Sequence, residues 1–129
     1  MHKRHNPASM FPSPTYSHAI EVSAGARMLY LSGQIGRGAD GKLVEGIDAQ
    51  LDLAWRNVHT VLAEAGMDMR HVIKVNEYLA HPEHVAACRA KRAAVYGDAF
   101  RPATTLAVVR QLALPEILVE IEVVAAQPG

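Results

Sequence analysis

The chain has 129 residues, half of them apolar and a fifth charged, with 13 Lys plus Arg balanced by 13 Asp plus Glu. That is one folded domain with a real core rather than a disordered chain, and zero formal charge gives no electrostatic reason to bind a nucleic acid. A single cysteine, Cys88, excludes an intrachain disulfide and any multi-cysteine metal site, and no apolar run reaches the roughly 18 residues that span a membrane.

Residues 1–14 hold Pro7, Pro12 and Pro14 among polar residues and read as a flexible N-terminal arm, with residues 15–129 as a single domain. The N-terminal segment is charged and lacks an apolar stretch, which predicts no signal peptide and a cytoplasmic address. Residues 18–22 alternate apolar and polar, residues 23–26 turn, and residues 27–32 read as a second strand, so the pair predicts a hairpin. Residues 33–46 carry five glycines and predict a long flexible loop.

Residues 47–65 give the strongest helix. Ile47, Leu51, Ala54, Val58, Val61, Leu62 and Ala65 form one apolar stripe, and Gly66 follows where a helix needs a positive φ. Residues 71–80 are β-rich. Pro82 then suits the first turn of a second helix, which runs to about Tyr96 and stops at Gly97. Residues 104–110 and 117–125 are two further strands, which gives the order β-β-α-β-α-β-β.

Two right-handed crossovers put both helices on one face of a single sheet. The last strand is nevertheless apolar on both sides. Ile117, Val119, Ile121 and Val123 line one face; Leu118 and Val124 line the other, with Glu120 and Glu122 between them. An apolar face that no helix covers predicts an oligomer.

Few residues suggest chemistry by pattern alone. Glu120 and Glu122 share a strand face. They read either as an acid or base in a half-buried site or as a structural pair held by Arg110 or another cation. His2 with His5, and His81 with His84, have an H-x-x-H spacing, but neither pair has a third ligand near it, so no metal is expected. Cys88 reads as a small buried residue of the second helix, and Trp55 and Tyr78 read as core.

Several blocks together resemble the YjgF/Rid family of reactive-intermediate imine and enamine deaminases, also known as endoribonuclease L-PSP-like proteins. They are Tyr16-Ser17-His18-Ala19, Leu31-Ser32-Gly33-Gln34-Ile35-Gly36, and Gln50 with Ala54 and Asn57. Further on come Leu62-Ala63-Glu64-Ala65-Gly66, Val72-Ile73-Lys74 with Tyr78-Leu79, Arg101-Pro102-Ala103-Thr104-Thr105, and Leu118-Val119-Glu120-Ile121-Glu122. The blocks follow the family's order from about residue 16 to 126.

The resemblance implies a chorismate-mutase-like α+β fold of the ferredoxin-like type, assembled as a homotrimer with clefts between subunits. It implies a cofactor-independent hydrolase or deaminase of a small imine, enamine or related metabolite. Glu120 matches the glutamate that orients or activates water. Tyr16, Ser32 and Gly33 match cleft-lining positions. Thr104 stands where the deaminases carry a carboxylate-clamping arginine, and Arg101, three residues earlier, is the nearest cation in sequence. This departure marks a divergent subgroup. A non-catalytic, ligand-binding or regulatory trimer is the alternative reading. A ribonuclease fits the neutral, aromatic-poor composition least.

Overall fold

Strands with period-two patterning build one sheet, and the two helical stripes lie across one of its faces. The computed structural model describes residues 2–97 and 101–129, so Met1 of the N-terminal arm lies outside the described residues. In chain order the elements are β1 (Lys3–His5), β2 (Ala19–Glu21), β3 (Arg27–Tyr30), α1 (Ile47–Glu64), β4 (Val72–Leu79), α2 (Val85–Tyr96), β5 (Ala103–Val108) and β6 (Val119–Gln127). The main sheet has the order β3-β6-β4-β5. Strand β6 is antiparallel to both neighbours, and β4 is parallel to β5. A parallel pair needs a long crossover, which α2 supplies. This is the expected α+β architecture.

One expectation fails. The segments at 18–22 and 27–32 do not form a hairpin with each other. Strand β2 pairs with β1, in register Lys3↔Glu21 and His5↔Ala19, while β3 pairs with β6 from Arg27↔Gln127 to Tyr30↔Val124. The burial pattern gives the reason. Ala19 and Glu21 are exposed, so β2 has little to offer a core sheet, whereas Leu29 packs against the core and Leu31 is buried within it. The arm therefore has partners. The His5 ring meets Glu21 at 3.0 Å, His2 Nε2 lies 2.7 Å from the Ala126 carbonyl, and Asn6 Oδ1 accepts the His18 N–H at 2.8 Å.

Helix α1 buries Leu51, Ala54, Trp55, Val58 and Leu62 against the sheet. It ends in a Schellman motif. Met67 N–H donates to the Leu62 carbonyl and Gly66 N–H to that of Ala63, with Gly66 at φ 71. The glycine-rich segment is anchored to this helix. Buried Gln50 donates to the carbonyls of Val44 and Glu116 and accepts the Leu118 N–H. Asn57 donates to the carbonyls of Ile35 and Arg37. Around Pro82 the chain makes a short 3₁₀ turn before α2 begins, and α2 buries Cys88, Arg92 and Tyr96.

Burial alternates along β6 as the patterning predicts. Val119, Ile121, Val123 and Ala125 lie under the helices, while Glu120, Glu122 and Val124 face the other way. On that open face the strand register adds Lys74, Asn76 and Tyr78 of β4 and Tyr30 of β3, the last 74 % exposed. Tyr78 thus sits on the open face, not in the core, because it is two residues from Asn76 and out of phase with buried Val75 and Leu79. Among the described residues no helix is long and apolar enough to cross a membrane.

Candidate functional site

The two glutamates of β6 have different surroundings. Glu122 accepts hydrogen bonds from Asn76 Nδ2 at 2.9 Å and the Tyr78 hydroxyl at 3.1 Å. That carboxylate raises the Tyr78 phenol above its ordinary pKa, through the hydrogen bond first and burial second. Glu122 is therefore held by an amide and a phenol, not by Arg110. Glu120 takes no hydrogen bond among the described residues.

Glu120 lies against the chain that leaves β3. Gln34 and Ile121 exchange backbone hydrogen bonds of 2.7 and 2.8 Å, which draws residues 32–34 alongside β6. Gly33 then passes directly over the carboxylate. A Cβ added there would stand 2.0 Å from Glu120 Oε2, so only glycine leaves Glu120 its place. Gly33 and Glu120 share a depression of about 350 Å³ with Gln34, Arg37, Asn57 and Ile117. Ser32 is exposed next to it in sequence.

Tyr16 and Thr104 share a second depression, of about 420 Å³, at the β5 edge. The segment before β2 reaches this edge through a bridge between Ser17 and Ala103. The Thr104 hydroxyl is engaged on the helix side: it donates to the Pro102 carbonyl at 3.1 Å and lies 2.9 Å from the Tyr96 hydroxyl. Its register opposite Val75, on the helix-facing side of β4, explains this orientation. Arg101 lines a third depression, of about 280 Å³, with His2, Arg4 and Arg70. The structure thus joins Gly33 to Glu120 and Tyr16 to Thr104, and sets Arg101 apart from both pairs.

Sequence reasoning missed three cations around Tyr16 and Thr104. They are Lys74 of β4 and Arg89 and Arg92 of α2. Arg92 Nη1 donates to buried Glu77 Oε1 at 2.8 Å, and the Cys88 thiol donates to Oε2 at 3.2 Å. Burial raises the Glu77 carboxyl above its ordinary pKa, and Arg92 pulls it partly back. Burial and then the Glu77 charge push the Cys88 thiol up, so it stays protonated and un-nucleophilic. Among the described residues no group of three His, Cys, Asp or Glu side chains gathers as a metal site.

Comparison with known proteins agrees with this architecture. The family model described as Endoribonuclease L-PSP matches residues 7–127. A RutC family protein of Aquifex aeolicus is 34% identical over 127 residues, covering 94% of this chain and 95% of its own. Among solved structures, the Rid-family protein YyfB of Yersinia pestis, titled a protein of unknown function, superposes with a TM-score of 0.88 at 34% identity over 98% of both chains. RidA of Psychrobacter superposes with a TM-score of 0.71 at 28% identity, covering 93% of this chain and 92% of its own. With a family model spanning nearly the whole chain and the same fold in these relatives, the protein belongs to the YjgF/Rid family, the family of Endoribonuclease L-PSP.

Proposed function

We propose that the protein is a cofactor-independent hydrolase of a small imine or enamine, acting in clefts between the subunits of a homotrimer. The observation that carries this reading is the Glu120 carboxylate, which accepts no hydrogen bond among the described residues and lies against the Gly33 backbone. A base with no competing donor can take a proton from water. Water adds to the carbon of the C=N bond while Glu120 accepts its proton. Glu120 returns that proton to nitrogen, giving a carbinolamine. It then takes the carbinolamine hydroxyl proton and passes it to the amine as C=O forms and the C–N bond breaks, so a carbonyl compound and ammonia leave.

The distribution of the other residues supports an intersubunit site. Glu120 lies opposite Tyr78, while Lys74, at the Tyr16 depression, is four residues away along β4, roughly 13 Å at strand spacing. A small substrate cannot touch both within one chain. In this reading a second copy covers the open face, which presents Tyr30 and Val124, and one subunit's Tyr16 depression completes the site at its neighbour's Glu120.

The test generates an imine with an amino-acid oxidase and lets hydrolysis compete with semicarbazide trapping. The protein should suppress the semicarbazone, and Glu120→Gln should slow clearance by about a hundredfold or more. Equal clearance by Glu120→Gln rejects the mechanism. The committed hydroxyl of Thr104 favours a second reading, a trimer that binds such ligands without turning them over. Ligand binding with no clearance by the unaltered protein would select it.

A further inference from the structure

The cations around Tyr16 and Thr104 come from two elements and are held differently. Arg92 is 8 % exposed and lines the depression. Glu77, 0 % exposed, grips one end of its guanidinium, and Cys88 takes the other carboxylate oxygen. The Arg92 fork is therefore oriented before any ligand arrives, which lowers the ordering cost of binding. Lys74 reaches the depression from the open face and donates to the neutral hydroxyl of Thr105 at 2.8 Å, and it makes no ion pair among the described residues. Arg89 is exposed on the same helix and makes no ion pair among the described residues. Among the described residues, three cations stand against the single carboxylate of Glu77, an excess of two positive charges.

We infer that this depression binds a ligand end carrying two negative charges, either a dicarboxylate or a phosphate monoester, with Arg89 and Lys74 as the specificity-determining cations and Arg92 as the fixed donor. The inference rests on the proposed reading that this cleft takes small metabolites, and it names their charge class. A single clamp arginine at position 104 would match one carboxylate. Spread cations on β4 and α2 match more charge over a wider area.

The depression around Arg101 is the natural competitor, since it too is cationic. Its Arg70 is bound to Asp68 at 2.7 Å and is mostly exposed, and its walls include Ile20, Val72, Ile73 and Pro102. It offers no buried, pre-oriented guanidinium comparable to Arg92.

Calorimetric titration of the assembled protein at low salt tests the assignment, with succinate, inorganic phosphate and propanoate as probes. At least one dianion should bind about tenfold or more tightly than propanoate, as expected from one added charge-assisted contact. Which dianion binds better identifies the source chemistry. Arg89→Ala should weaken that binding about tenfold, and Arg89→Lys should recover part of it. Arg89 is exposed, so neither change disturbs the core, and unchanged melting temperatures will verify this. Arg101→Ala should leave the affinity unaltered. Equal binding of propanoate, an unaffected Arg89→Ala variant, or loss of binding in Arg101→Ala overturns the inference. Glu120→Gln should keep dianion binding while losing hydrolysis, so failure of the anion site and failure of the hydrolase reading are separable.

Discussion

Replacing Glu77 by valine tests the energetics of the buried pair directly. The Glu77 side chain is fully buried and its partner Arg92 nearly so, at 2.8 Å separation. Valine suits the site sterically, since it lies in a strand between Val75 and Leu79. The change removes the one carboxylate among the described residues that pairs with Arg92 and leaves a guanidinium in a poorly solvated place. Breaking such a pair costs about 3–5 kcal/mol. Arg92 also lines an open depression and keeps some access to water, which favours the lower end, about 3 kcal/mol. With about 2.1 cal/mol/K per residue of unfolding entropy, a chain of 129 residues should melt about 11 °C lower. The double variant Glu77→Val/Arg92→Leu removes both charges and should recover most of the loss, because a well-packed apolar replacement is neutral or stabilising. Differential scanning calorimetry of the parent and the variants, Arg92→Leu included, measures the coupling. If Glu77→Val melts with the parent, or if the double variant is no more stable than Glu77→Val, the account of this pair is wrong.

Other outcomes follow from the same geometry. Gly33→Ala places a methyl group on the Glu120 carboxylate, whose flexible end must turn away; the variant should fold with a melting temperature within a few degrees of the parent, on the order of 1 kcal/mol, yet clear imine no faster than Glu120→Gln. The Asp68 carboxyl is held down to about 2, chiefly by hydrogen bonding from the Arg70 side chain and also by the Arg70 N–H. Its contribution is present above the ordinary carboxylate range and lost as pH falls through about 2. Asp68→Asn should therefore lower the urea midpoint at pH 7 and approach the parent at pH 2. Half of the Asp68 side chain is exposed, so the difference at pH 7 should stay under about 1 kcal/mol.

Elements whose apolar residues recur with a clear period were legible. Helix α1 and its end at Gly66, the burial alternation of β6, and the turn from Pro82 into α2 all follow local rules that the tertiary structure reinforces. The pairing of β2 was not legible. Its partner, Lys3–His5, is three polar residues with no apolar period, and the arm is held by contacts that composition does not announce: His5 to Glu21, Asn6 Oδ1 accepting the His18 N–H, and the His2 ring to the Ala126 carbonyl of β6. The turn at Gly25 pointed toward a local hairpin. Burial of Leu29 and Leu31 took β3 to β6 instead.

At the candidate site, alternation along β6 marks Glu120 and Glu122 together and does not separate them; the family resemblance points to Glu120, and the close approach of Gly33 sets its surroundings apart from those of Glu122. The cation cluster was not found, although its signal lies in the strand period. Val75, Glu77 and Leu79 stand two apart on the core side of β4, so a carboxylate is forced under a helix. On α2, Cys88, Arg92 and Tyr96 stand four apart and form the buried stripe, so an arginine is forced inward as well. Two charges on facing buried stripes require each other. A pair of this kind is weak evidence for stability, since apolar residues would pack the same space at no greater cost. Its consequence here lies at the surface: the carboxylate fixes the arginine where its free edge meets the depression beside Tyr16, Lys74 and Arg89. The absence of an arginine at position 104 therefore does not make this cleft neutral. Its positive charge stands on α2 and β4 instead of β5.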